Sequence, residues 1–120
     1  VTVLLIVLGA ALGAPLRYLT DRAVQARHDS VFPWGTLTVN VAGSLLLGGV
    51  LAVPADPAVT ALVGTGFCGA LTTWSTLGYE TLRLARTGAR RHATANVLLS
   101  VVAGLGAAFL GYAVVSAFAG

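Results

Sequence analysis

Gly64-Thr65-Gly66-Phe67-Cys68-Gly69-Ala70-Leu71-Thr72-Thr73-Trp74-Ser75-Thr76 sits inside a long apolar run from Pro57 to Leu82. Its composition is wrong for the interior of an ordinary helix. Each of its three glycines costs a helix about 1 kcal/mol relative to alanine. The hydroxyls of Thr72, Thr73, Ser75 and Thr76 add local competitors for backbone hydrogen bonds. The stretch therefore predicts a membrane helix interrupted near its middle. Non-helical backbone at membrane depth is tolerated only where it is buried in protein or lines a polar cavity. That constraint points to an ion or solute site.

The rest of the chain supports a membrane setting. Its 120 residues make one domain, 57% hydrophobic and 9% charged, with a mean hydropathy of +0.89. The cationic side chains are seven arginines with no lysine, and no basic patch with interleaved aromatics suggests nucleic acid. The lone Cys68 allows no internal disulfide and has no metal-ligand spacing, so it reads as a small apolar residue in a packed helix. No nucleophile–base or metal constellation supports an enzyme, and His28 and His92, each near arginines, read as solvated.

Four apolar spans are expected, at about residues 1–19, 34–53, 57–82 and 93–118, since roughly 20 apolar residues cross a bilayer. A cleaved signal peptide is the rival reading of the first, but it lacks the basic leading region such peptides carry. Gly9 and Gly13, with Ala10 and Ala14, form a small-xxx-small face suited to close helix packing. Gly43, Ser44, Gly48 and Gly49 continue that theme in the second span, which Pro33 opens and Trp34 anchors at the interface. Pro54-Ala55-Asp56-Pro57 is short enough to join antiparallel neighbours. The third span is centred near Gly69-Ala70, where two half-helices are expected to meet, a layout that binds ions through freed carbonyls and helix ends. Polar loops are expected from Asp21 to Ser30 and from Arg83 to His92. Asn40 is the outlier of the second span: a buried amide must find partners, through an interhelical hydrogen bond or as a group of an ion path. Asn96, Ser100 and Gly104 follow at four-residue spacing on one face of the fourth span.

With four crossings, all seven arginines fall on one side, and the side with both termini has none. The positive-inside rule then predicts arginine loops in the cytoplasm and both termini outside.

Three ordered blocks resemble the signature blocks of the bacterial Fluc/CrcB fluoride-channel family: Gly13-Ala14-Pro15-Leu16-Arg17-Tyr18, Pro33-Trp34-Gly35-Thr36-Leu37-Thr38-Val39-Asn40-Val41-Ala42-Gly43, and Gly66 to Thr76. The resemblance implies an all-α membrane protein of the bacterial plasma membrane. Four-helix subunits, the third helix broken at its centre, would form an antiparallel dimer with two fluoride pores. It also implies a structural sodium ion at the dimer centre, held by backbone carbonyls at positions matching Gly69 and Thr72. A hard cation prefers oxygen ligands, and a break exposes carbonyls that a continuous helix would use internally. For the fluoride path the resemblance implies Asn40 as a donor, with Trp74 and Leu77 at the pore-aromatic positions. Trp74 keeps a positive ring edge and an indole N–H, whereas Leu77 keeps neither. Ser75, Thr76 and Ser100 can extend the polar track, with Asn96 where the family often carries Tyr, and Phe67 reads as packing. Arg17 matches a family arginine that serves as an interfacial anchor or gathers anions in a vestibule. Glu80 matches a family position and is a candidate to pair with an arginine such as Arg83.

Leu77 and the one-sided arginines depart from a self-pairing channel. A subunit locked in one orientation cannot form an antiparallel dimer with itself, so an oppositely biased homologue is the expected partner. A proton-coupled exporter of the small multidrug type is the rival of a different class. It needs an embedded carboxylate in the first span, where no Asp or Glu precedes Asp21. A membrane scaffold would account for the glycines but not for the hydroxyl-rich break with Asn40.

Overall fold

The four apolar segments fold as helices in the computed structural model, in which residues 1–28, 32–53 and 56–119 are described. The first gives α1, Thr2–Arg27, and the second α2, Trp34–Ala52. The third is divided into α3, Pro57–Val59, a π-helical stretch, Thr60–Cys68, α4, Gly69–Leu71, and α5, Ser75–Arg86. The chain closes with α6, Arg90–Ala119. Helices α1, α2 and α6 are each long and apolar enough to cross a membrane.

The closest helix contacts are made through glycine. A Cβ on Gly9 would fall on the Leu62 carbonyl oxygen and lie 2.7 Å from the Phe67 nitrogen. On Gly13 it would strike the Phe67 carbonyl, and on Gly66 it would come within 2.6 Å of the Ile6 carbonyl. Helix α1 and the π-helical stretch thus touch backbone to backbone, as the small-xxx-small spacing predicts. The same happens between α2 and α6, where Gly48 lies on the Ala108 carbonyl and Gly111 on the Leu45 carbonyl. Large apolar side chains such as Leu12, Leu105 and Phe109 point outward, which suits a lipid solvent as apolar as leucine itself.

Three boundaries differ from expectation, each for a physical reason. The polar segment after Asp21 continues as helix to Arg27, because charge marks where a span leaves the bilayer and not where its hydrogen bonds stop. Arg22 donates to the Tyr18 hydroxyl at 2.9 Å, one turn back, with its guanidinium 5.6 Å from the ring centre. Between α5 and α6 only a tight turn remains. Gly88 adopts φ +88°, Ala89 N–H donates to Leu84 and Gly88 N–H to Ala85, the hydrogen-bond pattern of a Schellman C-cap. The break in the third segment falls at Thr72 to Trp74 and not at Gly69-Ala70. Upstream, Gly64 and Gly66 are absorbed by π winding, and Gly66 is in close contact with α1. Asp29 and Ser30 of the first polar loop, and Pro54 and Ala55 of the second short loop, lie outside the described residues. Asp56 accepts from Ala58 N–H at 2.9 Å and so caps α3, with Pro57 in its first turn.

The arginine-bearing segments share one end of the bundle. The Glu80 carboxylate on α5 faces the Thr36 hydroxyl on α2, with Asp21 of α1 and Arg83 as its charged neighbours. At the opposite end Val53, Val59, Val114 and Val115 line one apolar groove.

Candidate functional site

The break is held open from a different helix. Asn40, on α2, accepts from the Thr73 amide through Oδ1 at 2.7 Å and donates from Nδ2 to the Thr73 carbonyl at 3.1 Å. One side-chain amide thus satisfies both backbone polar groups of a residue that has left the helix, which at membrane depth would otherwise be costly. Thr72 is extended, with φ −80° and ψ 159°. Its hydroxyl and its amide both donate to the Cys68 carbonyl at 3.0 Å, closing the upstream half. Thr73 Oγ1 accepts from the Thr76 amide at 3.2 Å and lies 3.4 Å from Ser75 Oγ, capping the downstream half.

These bonds divert two amides from their helical acceptors. In a continuous helix the Thr73 amide would bond the Gly69 carbonyl and the Thr76 amide the Thr72 carbonyl. Here the first goes to Asn40 and the second to Thr73 Oγ1. The carbonyls of Gly69 and Thr72 are thereby released from those bonds. Among the described residues nothing lies within 4 Å of where a Gly69 Cβ would stand, so this side of the break is open.

A groove of about 540 Å³ runs beside the break, between α2 and α6. It brings together Asn40, Gly69, Thr72, Trp74 and Ser100 of the residues singled out in the sequence, along with Ser44 and Leu77. Trp74 is 77% exposed at its rim, whereas Leu77 is buried. Ser75, Thr76 and Asn96 do not line this groove. Asn96 is fully buried on α6, and its Nδ2 donates to Thr81 Oγ1 at 3.0 Å. Ser100, one turn on, is buried with no hydrogen-bond partner for its hydroxyl among the described residues. The backbone of Phe67 lies against Gly9 and Gly13. Glu80 belongs to the charged cluster with Asp21, Thr36 and Arg83. Arg17 is half-buried on α1, one turn beyond Gly13.

Thr73 was legible in the sequence only as one hydroxyl among four, yet every polar atom it has takes part in shaping the break. A signal did exist: a threonine just before the first turn of a helix is a cap candidate. Ser44 and Thr81 carried no comparable signal, since serine and threonine often bond their own helix instead.

A family model described as "CrcB-like protein, Camphor Resistance (CrcB)" matches residues 4–112. The chain is 63% identical to "Fluoride-specific ion channel FluC 1" of Frankia casuarinae, over 95% of each chain. It is 60% identical to the protein of that name in Streptomyces avermitilis, over 90% of each chain. Against "Fluoride-specific ion channel FluC 2" of Rhodococcus jostii the identity is 47%, covering 96% of this chain and 99% of the other.

Proposed function

The chain belongs to the CrcB-like family of ion channels, and on that premise we propose that it conducts fluoride passively out of the cytoplasm. It is a membrane channel and not an enzyme. The observation that carries the reading is the broken segment braced by Asn40 beside a groove that also holds Trp74 and Ser100. Fluoride is a small, strongly hydrated acceptor, and a path for it must replace water with donors. Asn40 keeps a second Nδ2 hydrogen, Trp74 an indole N–H and positive ring edge, and Ser100 an uncommitted hydroxyl. Ser75, Thr76 and Asn96 extend the track around the break, with Arg17 as an anion-gathering charge and Glu80 as a structural one. A negative-inside potential drives the anion outward at about 2.3 kcal/mol per charge per 100 mV, so no coupling residue is required.

The carbonyls of Gly69 and Thr72 fit a structural sodium ion. They are hard oxygen donors released from their helical partners, and two from each of two antiparallel subunits would supply four ligands on the dimer axis. Replacing sodium by a large organic cation is expected to weaken the dimer and lower fluoride flux by about tenfold or more, each 1.4 kcal/mol lost being a factor of ten. Flux and dimerisation indifferent to sodium would remove the ion from this reading.

The partner is an oppositely oriented homologue. Arginines at one end of the bundle bias the subunit toward a single orientation, with its termini outside, and a subunit so biased cannot be its own antiparallel mate. The relatives' names, numbered 1 and 2, accord with paired homologues. Reconstituted alone, the chain is expected to give little fluoride efflux from liposomes, and robust efflux together with such a homologue. A C-terminal reporter is expected outside the cell. Strong efflux from a lone homodimer, or a cytoplasmic C-terminus, would overturn the pairing.

A further inference from the structure

Two neighbours on α6 fail to bond although their spacing allows it. Asn96 and Ser100 are four residues apart on one helical face, within reach of a serine-to-amide hydrogen bond. Both are buried, yet among the described residues Asn96 Oδ1 and Ser100 Oγ each lack a partner. The reason lies on α5. The Thr81 hydroxyl donates its single hydrogen to the Leu77 carbonyl at 2.7 Å, so toward Asn96 it can only accept. Asn96 must then turn its NH₂ to Thr81, which it does at 3.0 Å, and this holds the amide away from Ser100.

We propose that Thr81 is a positioning residue of the ion path, keeping Asn96 from capturing the hydroxyl hydrogen of Ser100 and so leaving that hydrogen for a passing anion. The proposal rests on the reading of Ser100 as part of the fluoride path. Removing the Thr81 hydroxyl takes away the acceptor that restrains Asn96. The Leu77 carbonyl keeps its helical amide, so the helix itself loses little. The freed amide can then swing toward Ser100 and take up its hydrogen in a neutral pair, and the path loses one donor.

The test compares fluoride efflux for Thr81→Val, Thr81→Ser, Ser100→Ala and the double variant Thr81→Val/Ser100→Ala, in whichever assembly conducts, alone or paired. Thr81→Val and Ser100→Ala are each expected to slow efflux by about tenfold, the worth of one hydrogen bond to a charged group. Thr81→Ser keeps the acceptor and is expected to run near the wild-type rate. The double variant is expected to be no slower than Ser100→Ala alone, because the first change acts through Ser100. Effects that multiply in the double variant, or slow efflux in Thr81→Ser, would assign Thr81 a merely structural role and overturn the proposal. Thr81→Val at the wild-type rate with Ser100→Ala slow would overturn it while sparing the path. Ser100→Ala at the wild-type rate would remove Ser100 from the path and the proposal with it.

Discussion

Asn40→Leu is expected to abolish fluoride efflux and to destabilise the subunit by about 2–5 kcal/mol, the range for orphaning buried polar backbone groups. The estimate follows from what the side chain does. Its 2.7 Å and 3.1 Å bonds are the partners of the Thr73 amide and carbonyl, which lie at the break and have left the helical ladder. Leucine is of similar size and offers neither. Two outcomes are open to the variant chain, and both remove the path. The break can close into helix, which returns the Thr73 amide to the Gly69 carbonyl, or it can collapse around the orphaned groups. Asn40→Asp separates bracing from conduction. It keeps an acceptor for the Thr73 amide but sets a carboxylate against the Thr73 carbonyl and beside the anion's route. Efflux is expected to fall as far as in the leucine variant, with a smaller loss of thermal stability. Wild-type efflux from Asn40→Leu would show that the break does not depend on this amide.

The second large effect is steric. Gly48→Ala would drive a methyl group onto the Ala108 carbonyl oxygen, with the carbonyl carbon at 2.7 Å and Cα at 2.9 Å. These are backbone atoms of a packed helix and cannot rotate aside as a side-chain end could. Helices α2 and α6 would have to separate along their whole contact, at a cost of about 3 kcal/mol or more, at and beyond the upper end for overpacking. Gly9→Ala meets the same obstacle between α1 and the Leu62 and Phe67 backbone. Gly106→Ala is the control: nothing lies within 4 Å of its Cβ position, and alanine favours a helix interior over glycine. Thermal unfolding in detergent should show a large fall in midpoint for Gly48→Ala and Gly9→Ala and none for Gly106→Ala. Equal stability of all three would mean that the helices do not approach as closely as described.

Both expectations mark how far the primary structure can be read. The glycine contacts were legible because helical spacing is local: Gly9 and Gly13 are four apart and must share a face, and a face of small residues in an apolar helix has little use except close approach. The interruption of the third segment was legible from composition for the same reason. Its place was not. The midpoint of the apolar run predicted a break at Gly69-Ala70, but the observed one begins at Thr72. Which groups leave the helical ladder depends on which find better partners, and the partner here stands 33 residues away on another helix.

The amino-acid sequence by itself determined the membrane class, the apolar helical segments, the end that carries the arginines and the family. Each of these rests on hydropathy, charge, spacing or ordered motifs, which are properties of a chain read in one dimension. Only the tertiary structure decided what the stretch from Gly64 to Thr76 does with its glycines and hydroxyls. The glycines at 64 and 66 serve π winding, with Gly64 facing α2 and Gly66 packed on α1, Thr73 caps one half-helix, and the carbonyls of Gly69 and Thr72 lose their helical amides. The reason is that a backbone polar group at membrane depth goes to whatever partner the packing supplies, and Asn40 becomes that partner only once α2 lies against the third segment.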